Sequence, residues 1–260
     1  MLTRPFTIFI QSYSEDKMPI KNYLDLSLKK ISCSAVIVAA GSSSRFGSDK
    51  LFARLAGIPV IAYSLMSFEA CKYVSEIIVV TESEKITEIA ELCESMNITK
   101  ATKIVCGGAT RLESALSGVS ETDKRSKLIA IHDGARPLVT MKIIEDTILS
   151  ADKYKAAIPV IASRDTIKIV SGSFVTETPE RSSVFCAQTP QVFVPELIKG
   201  ALTNALQNNI AVFDDASAVE NLGFYVCVTE GSEENIKITT PMDLRFAECI
   251  LASRRERAML

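Results

Sequence analysis

Short apolar runs rich in β-branched residues alternate along this chain with longer stretches in which apolar side chains recur at helical spacing. The first clear run begins at Ala35 and stops abruptly before Gly41. The runs that predict strands are Ala35–Ala40, Ile77–Val80, Ile104–Cys106, Leu128–Ile131 and Ala156–Val160. Such alternation is typical of parallel strands joined by covering helices.

These runs are apolar at nearly every position, whereas a strand with one face in water would alternate apolar and polar residues. We therefore expect strands buried on both faces, with Cys106 acting as a small buried hydrophobe at the end of its run. The pattern predicts a three-layer α/β fold with a doubly wound, mostly parallel sheet. Ligands bind at the carboxyl ends of the strands in such sheets, so polar residues there are the first candidates for function.

The regular alternation breaks after residue 160. Two short β-rich runs, Asp165–Val170 and Phe174–Thr176, flank the turn-forming residues Ser171–Ser173 and predict a hairpin. An isolated hairpin is only marginally stable in water, so we expect this β-arm, at about residues 163–184, to pack on another surface, for which a second subunit is one candidate. Residues 1–32 show weak periodicity and are predicted to form an extension outside a single domain that spans residues 33–255.

Composition and charge argue against several classes of protein. The chain has 260 residues, of which 47% are hydrophobic, and its formal net charge of -2 does not indicate a long basic face for nucleic acid. No apolar run reaches the roughly 18 residues of a membrane span, and the start of the chain lacks a secretory signal. Seven cysteines without a C-x-x-C pair fit neither a disulfide framework nor a zinc site, which favours a reducing cytoplasm. Glu15 and Asp16 argue against the remaining alternative, a plastid transit peptide.

The first candidate for chemistry is the small-residue loop Ala39–Lys50, which follows the first strand. Small residues let backbone N–H groups approach phosphate oxygens, while Arg45 adds a forked contact and Lys50 a point charge. Together they suit a triphosphate, although a turn with solvated basic residues is the plainer alternative. The loop has neither the G-x-x-x-x-G-K-[ST] pattern of P-loop enzymes nor the G-x-G-x-x-G pattern of dinucleotide-binding dehydrogenases, so both classes lose support.

A second loop, Gly107–Ser114, also comes directly after a predicted strand. Its paired glycines would allow close approach to a base or ribose, and Arg111 and Ser114 can face the ligand one turn apart. The alternative is an ordinary helix start, with Thr110 as the N-cap.

A third segment, Ile131–Pro137, places a carboxylate at the end of a predicted strand. Among so many phosphate-directed cations, Asp133 makes sense as a ligand for Mg²⁺, a hard ion that bridges protein oxygens and phosphates. A turn or a helix cap is the commoner role of an aspartate after a strand. His132 is the only histidine of the chain, and we expect it to be structural because no metal cluster or catalytic triad can be built around it.

These three segments resemble the signatures of known enzymes. The first is similar to the A-A-G-x-G-x-R-M…P-K signature of the sugar-phosphate nucleotidyltransferases. The G-G-x-x-R-x-x-S and H-D-x-A-R-P motifs resemble those of the 2-C-methyl-D-erythritol 4-phosphate cytidylyltransferases. Further matches follow in the family's order between about residue 33 and residue 250, at Arg164–Lys168, Ala187–Phe193, Asp214–Ser217 and Glu230–Leu244.

The resemblance implies a Rossmann-like nucleotidyltransferase fold with a protruding β-arm. It implies transfer of a cytidylyl group from CTP to 2-C-methyl-D-erythritol 4-phosphate, with release of pyrophosphate, in non-mevalonate isoprenoid synthesis. It also implies Mg²⁺ or another divalent cation as cofactor, and a homodimer formed through the β-arm. No nucleic-acid or membrane partner is expected.

Residue roles are carried over from the resemblance position by position. The positions implied to be catalytic are Arg45, Lys50, Arg181 and Lys237, the last of which would neutralise charge at the α-phosphate. Those implied to bind the nucleotide are Ala40, Gly41, Gly108, Arg111 and Ser114. Those implied to bind the acceptor substrate are Asp133, Arg136, Thr166 and Arg181. Thr166 and Arg181 would reach the acceptor of the neighbouring subunit, and Asp133 would also hold the metal ion.

Some positions depart from the family pattern. Asp49 stands where a proline usually precedes the loop lysine, Ser43 where a glycine is common, and Phe213 where a threonine commonly precedes the Asp-Asp/Glu-Ala-Ser run. Two alternatives therefore stay open. One is a cytidylyltransferase for another polyol phosphate, such as ribitol 5-phosphate, and the other is an inactive CTP-binding module.

Overall fold

A computed structural model describes residues 31–41, 46 and 49–259 of the chain. Apart from Ile31 and Ser32, the predicted extension over residues 1–32 lies outside the described residues, as do Ser43 and Arg45 of the first loop. The predicted boundaries of the extension and of the domain stay predictions.

The described residues form a regular series of strands and helices. The strands are β1 (Cys33–Val38), β2 (Arg54–Leu55), β3 (Ile58–Pro59), β4 (Val74–Thr81), β5 (Ala101–Cys106), β6 (Leu128–Asp133), β7 (Ala156–Ala162), β8 (Ile169–Ser171), β9 (Phe174–Glu177), β10 (Phe185–Ala187), β11 (Gln191–Phe193) and β12 (Cys227–Glu230). The helices are α1 (Val60–Ala70), α2 (Ile86–Ser95), α3 (Arg111–Ser120), α4 (Met141–Tyr154), α5 (Pro195–Gln207), α6 (Asp215–Glu220) and α7 (Pro241–Met259). Short 3₁₀ turns cover Ser83–Lys85 and Arg181–Ser183.

One large sheet organises the domain. Its strands follow the order β5, β4, β1, β6, β11, β7 and β10, and β12 pairs with β7 as well. The contacts of β1 with β4 and β6, of β4 with β5 and of β7 with β12 are parallel. Strands β10 and β11 run antiparallel to their neighbours. The predicted mostly parallel sheet is therefore confirmed.

Helices cover both faces of this sheet, as the apolar strand runs require. Successive side chains of β1 point to opposite faces, so Ala35 and Ile37 lie in one core and Val36 lies in the other. Helices α1, α2 and α4 pack on the first face, and α3, α5 and α6 pack on the second. The predicted three-layer, doubly wound fold is confirmed. Among the described helices, none is long and apolar enough to cross a membrane.

Strand β5 differs from its prediction. It lies at the edge of the sheet beside β4, and its side chains are half-buried or exposed. Cys106 at its end is exposed, so the expectation of a small buried hydrophobe is wrong. Apolar content predicted burial on both faces, but an edge strand has fewer neighbours to cover its side chains.

The crossover between β5 and β6 reverses the strand order of the sheet, and ligands bind at such reversals in doubly wound sheets. After β5 the chain crosses to the other side of β1, so the strand order reverses between β1 and β6. Val38 at the end of β1 lies opposite Asp133 at the end of β6 in parallel register. The N–H of Gly134 donates to the carbonyl of Val38 at 2.9 Å and holds the two strand ends together. The first and third candidate segments therefore meet at one edge of the sheet.

A hairpin formed by β8 and β9 stands apart from the large sheet. Gly172 in its turn takes a positive φ of 59°, a conformation that suits glycine. The first hairpin strand begins at Ile169, later than the predicted start at Asp165. Phe174 is 78% exposed and Val170 is exposed as well, so the predicted β-arm presents an apolar surface to solvent.

Helix α7 holds the loop that precedes it. Asp243 in its first turn accepts hydrogen bonds from the N–H and the hydroxyl of Thr239, at 2.9 and 2.6 Å. Further along the helix, Arg254 and Arg257 donate to the two carboxylate oxygens of Glu234, at 2.7 and 2.8 Å. The segment between Glu234 and Thr239 is therefore anchored at both ends.

Candidate active site

Asp133 is the centre of a cluster of charged side chains at this edge of the sheet. It ends β6 and is only 7% exposed. Lys237 Nζ lies 2.7 Å from its Oδ2, and Arg111 Nε lies 3.4 Å from its Oδ1. Burial by itself raises the pKa of the Asp133 carboxyl, but the charges of Arg111 and Lys237 outweigh burial and hold that pKa well below its usual range. The carboxylate is therefore ionised at neutral pH.

Arg111, the first residue of α3, joins Asp133 to a second carboxylate. Its Nη1 and Nη2 donate to the two oxygens of Asp215 at 2.9 and 2.7 Å, a forked contact. Asp215 is 1% exposed, and burial raises the pKa of its carboxyl, a shift that Arg111 opposes. Arg111 thus balances the charge of Asp215 while it lies beside Asp133.

A capping box fixes the helical turn that carries Arg111. The hydroxyl of Thr110 accepts the N–H of Glu113 at 3.1 Å, and the Glu113 carboxylate accepts the N–H of Thr110 at 2.8 Å. The alternative interpretation of Thr110 as an N-cap is therefore confirmed. The cap and the ligand-facing role predicted for Arg111 are compatible, because they use different side chains of the same turn.

The paired glycines before α3 are needed for packing. A Cβ on Gly107 would lie 2.4 Å from the Cβ of Ala40, and one on Gly108 would lie 2.3 Å from the Cβ of Glu113, too close for carbon atoms. Ser114 is completely buried under this loop, and its Oγ accepts the N–H of Gly108 at 3.2 Å. Ser114 therefore positions the loop backbone, while its predicted part in nucleotide binding stays a prediction.

The loop that carries Lys237 is tied to the segment after β6. The N–H of Ile238 donates to the carbonyl of Ala135 at 2.8 Å, and Arg136 Nη1 donates to the carbonyl of Asn235 at 2.7 Å. The Nε of Arg136 is buried and has no hydrogen-bond partner among the described residues. Arg136 thus fastens the lysine loop, and the acceptor contact predicted for it stays a prediction.

His132 and Thr189 support the backbone of Asp133. The His132 ring is completely buried, and we assign its Nε2–H as donor to the carbonyl of Arg136 at 3.3 Å and its Nδ1 as acceptor from the Thr189 hydroxyl at 2.9 Å. The same Thr189 oxygen accepts the N–H of Asp133 at 3.1 Å. Burial lowers the pKa of His132 to about 4, so the ring is neutral at neutral pH and suits these two contacts. They support the structural role expected for this histidine.

A cavity of about 540 Å³ opens beside the glycine loop. Most of its lining residues have short side chains or none: Ala40, Gly41, Thr81, Ser83 and Cys106–Thr110. The charged lining residues are Glu82, Glu84 and Arg111. The volume lies within the range of small-molecule pockets, about 300–1,000 Å³. Accessible backbone N–H and C=O groups can read the edge of a flat base, so this cavity suits a nucleoside.

A smaller cavity of about 140 Å³ shares Gly41 and Arg111 with the first and contains the charged groups. Lys50, Asp133 and Lys237 line it. Cations that converge on one cavity suit phosphate oxygens. The two cavities together therefore suit a nucleoside triphosphate.

Some predicted residues lie elsewhere. Thr166 and Arg181, predicted to reach an acceptor, are exposed and line neither cavity. Arg45, predicted to grip the phosphates, lies outside the described residues. The described residues predicted to bind the nucleotide are thus gathered at the switch point of the sheet, and Thr166 and Arg181, predicted to bind the acceptor, are not.

Two residues that support the site received no role from the sequence. Asp215 binds Arg111 although 104 positions separate them, and Thr189 accepts the N–H of Asp133 across 56 positions. Local patterns do not reveal partners so far apart. The sequence did offer one signal for Asp215. The Asp214–Asp215 pair precedes a short, mostly apolar run, and a carboxylate that is buried there requires a cation nearby.

Asp49 and Phe213, which depart from the family pattern, have different surroundings. Asp49 forms an ion pair with Lys85, and its Oδ1 accepts the N–H of Leu51 at 3.0 Å. Phe213 is 92% exposed, and its N–H donates to the hydroxyl of Ser217 at 3.0 Å. The charge of Asp49 is therefore balanced, and the ring of Phe213 is turned to solvent.

Asp133 is the carboxylate that fits a metal ion in the smaller cavity. In the described part of the chain, no group of three or more His, Cys, Asp and Glu side chains is placed to hold a metal ion. Arg111 holds both oxygens of Asp215 at 2.7 and 2.9 Å. Lys237 contacts Oδ2 of Asp133, but among the residues that the structure describes, Oδ1 of Asp133 has only the longer 3.4 Å contacts with Arg111. Mg²⁺ is commonly held by one or two carboxylates together with substrate phosphates and water. A single carboxylate beside a phosphate cavity fits that pattern.

Comparisons with known proteins point to one enzyme family. Residues 33–253 match the family described as 2-C-methyl-D-erythritol 4-phosphate cytidylyltransferase. A protein of that name from Caldanaerobacter subterraneus subsp. tengcongensis is 45% identical over 222 residues, which make up 84% of this chain and 98% of the relative. Another from Halalkalibacterium halodurans is 42% identical over 226 residues, or 86% of this chain and 99% of the relative. The crystal structure of 4-diphosphocytidyl-2C-methyl-D-erythritol synthase from Anaerococcus prevotii has a TM-score of 0.78 at 32% identity, covering 86% of this chain and 97% of that chain.

Proposed function

The chain belongs to the 2-C-methyl-D-erythritol 4-phosphate cytidylyltransferase family, and we propose that it carries out that reaction in the cavity around Asp133. The enzyme transfers a cytidylyl group from CTP to 2-C-methyl-D-erythritol 4-phosphate, giving CDP-methylerythritol and pyrophosphate in non-mevalonate isoprenoid synthesis. One observation supports placing the reaction in this cavity. Lys50, Arg111 and Lys237 line it together with the ionised carboxylate of Asp133, at the switch point of the sheet.

CTP is proposed to span the two cavities. The cytosine would lie in the larger one, against the backbone of Ala40, Gly41 and Gly108. The triphosphate would lie in the smaller one, where Lys50 and Arg111 provide positive charge. Backbone groups held in fixed positions can distinguish one base from another because only a matching edge satisfies them.

The reaction needs no nucleophile from the protein. A phosphate oxygen of the acceptor attacks the α-phosphorus of CTP and pyrophosphate leaves in line, so catalysis consists of positioning and charge stabilisation. Lys237 uses one ammonium donor on Asp133 at 2.7 Å, which leaves two for phosphate oxygens. Its ammonium group can therefore stabilise the negative charge that increases at the α-phosphate.

Asp133 would hold Mg²⁺ or another divalent cation together with the nucleotide. When bound, such an ion neutralises phosphate charge and polarises the α-phosphate. The chain's own contribution is to keep the carboxylate in place, through Thr189, and ionised, through Arg111 and Lys237. Arg111 makes its shorter contacts with Asp215, at 2.7 and 2.9 Å, and its contacts with Asp133 are longer, at 3.4 Å.

A second subunit is proposed to complete the acceptor site. Thr166 and Arg181 lie in the β-arm, on either side of its two hairpin strands, and are exposed. Val170 and Phe174 give the arm an apolar surface of the kind that marks interaction sites. In a symmetric dimer each arm packs on the other subunit, which covers this surface and brings Arg181 to the other subunit's cavity. The exposed position of Arg181, away from the cavities of its own chain, supports this arrangement.

We also place the enzyme in the cytoplasm. All seven cysteines are free thiols in the structure, which suits a reducing compartment. Cys33 and Cys71 are buried, and burial raises the pKa of both thiols, so they are poor nucleophiles.

Pyrophosphate release from the purified protein tests the proposed function. With CTP, Mg²⁺ and 2-C-methyl-D-erythritol 4-phosphate we expect release that EDTA abolishes, and with ribitol 5-phosphate we expect none above background. Release with ribitol 5-phosphate alone would keep the chemistry but change the acceptor. CTP binding without release from either acceptor would show an inactive binding module, an outcome that the balanced charge of Asp49 argues against.

Replacement of Arg181 by alanine is expected to raise the KM for the acceptor about tenfold or more, because a hydrogen bond between charged groups contributes roughly 1.5–3 kcal/mol. CTP affinity should change little, since Arg181 lines neither nucleotide cavity. Steady-state kinetics with each substrate varied in turn measure both quantities. Lys168→Ala is the matched control, because Lys168 is an exposed cation of the same arm that contacts Thr178. A fall in CTP affinity instead would contradict the placement of Arg181.

Co-expression of two impaired variants tests whether the site is shared between subunits. In a mixed dimer of Arg181→Ala and Lys237→Ala subunits, one site would carry both substitutions and the other would carry neither. Random pairing would then restore about a quarter of wild-type activity, measured at an acceptor concentration well below the wild-type KM so that both separate variants are impaired. Activity no greater than the average of the two separate variants would mean that Arg181 serves its own subunit or neither.

A further inference from the structure

Asp49 directly precedes Lys50, which lines the smaller cavity, where we place the triphosphate. An unbalanced negative charge next to Lys50 would repel a triphosphate. In the structure both oxygens of Asp49 have partners: Oδ2 forms an ion pair with Lys85 Nζ, and Oδ1 accepts the N–H of Leu51 at 3.0 Å. A residue from another part of the chain therefore balances the charge of Asp49.

Lys85 reaches Asp49 from the 3₁₀ turn that follows β4. Its ammonium also lies 4.9 Å from the ring centroid of Phe52 and 3.8 Å from Glu88 Oε2. The side chains of Lys85 and Asp49 are 28% and 31% exposed, so solvent and salt screen their attraction less than on an open surface. Contacts of several kinds thus keep the ammonium group in one place.

The ion pair lines a cavity of about 220 Å³ that also touches Gly41. Glu82, in the segment just before Lys85, lines both this cavity and the larger nucleotide cavity. The pair therefore connects two parts of the proposed CTP site: the segment that carries Lys50, and the turn that lies beside the proposed base position.

We propose that Lys85 is a positioning residue for CTP, because its ion pair with Asp49 cancels a charge that would repel the triphosphate and restrains the segment that carries Lys50. The proposal rests on the proposed function. A proline before the loop lysine would restrain the same turn through its ring and would bring no charge to cancel. Here an ion pair takes that place, so CTP binding should respond to changes at Lys85 even though Lys85 lines neither the larger nor the smaller cavity.

Calorimetric titration of wild type and variants with CTP and Mg²⁺, without acceptor, tests the proposal. Lys85→Met removes the charge but keeps a flexible apolar side chain. We expect it to weaken CTP binding about tenfold, because the unbalanced carboxylate of Asp49 would then repel the triphosphate. Lys85→Arg keeps the charge and should bind CTP within about twofold of wild type. Asp49→Asn combined with Lys85→Met removes both charges and should recover most of the lost affinity.

Lys72→Met is a matched control. Lys72 also pairs with a carboxylate, Glu145 at 3.5 Å, and lies 4.9 Å from the ring centroid of Tyr73, but it lines none of the three cavities described above. We expect this variant to bind CTP like the wild type. Thermal unfolding reports whether each variant is folded, and Lys85→Gln repeats the charge removal if the methionine variant does not fold.

Unchanged CTP affinity in the folded Lys85 variants would overturn the proposal. An equal loss of affinity in the Asp49→Asn background would overturn it too, because Lys85 would then act independently of Asp49. Wild-type protein that binds CTP but releases no pyrophosphate would contradict the proposed reaction and leave the comparison of variants valid. Wild-type protein that does not bind CTP would overturn both proposals.

Discussion

Replacement of Lys237 by alanine is expected to lower turnover by about two to three orders of magnitude, because removal of one donor that stabilises a transition state costs about 2.7–4 kcal/mol. The ammonium group lies 2.7 Å from Asp133 in the cavity that also contains Lys50 and Arg111. Two positive charges therefore remain for ground-state binding of CTP, so the KM for CTP should change much less than turnover. Pyrophosphate release at saturating substrate concentrations measures the effect.

The fold should survive this substitution, because Asp133 keeps its contact with Arg111. Thermal unfolding of the variant checks that expectation. Lys142→Ala is the control for turnover: Lys142 is an exposed lysine that pairs with Glu230 at 3.0 Å, and it lines neither nucleotide cavity. Wild-type turnover in a folded Lys237→Ala variant would refute the role assigned to this lysine.

Replacement of Asp215 by alanine is expected to lower the free energy of unfolding by about 3 kcal/mol, near the lower limit for breaking a buried ion pair. Arg111 would lose contacts of 2.7 and 2.9 Å and keep the 3.4 Å contact with Asp133. The Arg111 side chain is 32% exposed, so water compensates for part of the loss. Urea denaturation followed by circular dichroism measures the change.

Asp123→Ala is the control for this stability measurement. Asp123 pairs with Arg125 at 2.6 Å, but the Arg125 side chain is 90% exposed. Ion pairs that are so exposed to solvent contribute little to stability. Equal losses in the two variants would mean that Asp215 does not anchor Arg111 in the way the geometry indicates.

The sequence predicted the centre of the sheet better than its edge. Strands β1 and β6 are buried almost throughout, because each is flanked by neighbouring strands and covered by helices above and below. The run Ile104–Cys106 has the same apolar character, but β5 ends the described sheet and leaves its side chains partly exposed. The number of neighbours depends on strand order, which the periodicity of one strand does not encode.

The candidate site was predictable where a motif or a resemblance marks a residue, and was not predictable where distant segments meet. The marked residues that share the smaller cavity are Lys50, Arg111, Asp133 and Lys237. The contacts that support them join Arg111 to Asp215 across 104 positions and Lys85 to Asp49 across 36. Asp49 offered a hint of its partner, because a carboxylate beside a lysine that is predicted to bind phosphate requires a compensating cation.

Protein synthesis runs from the amino terminus, so α7 leaves the ribosome after every other element described above. Until that moment Arg254 and Arg257 are not available to Glu234, and the loop that carries Lys237 lacks one of its anchors. A growing chain can therefore build its sheet and the helices on both faces before the loop of this lysine has its full set of anchors.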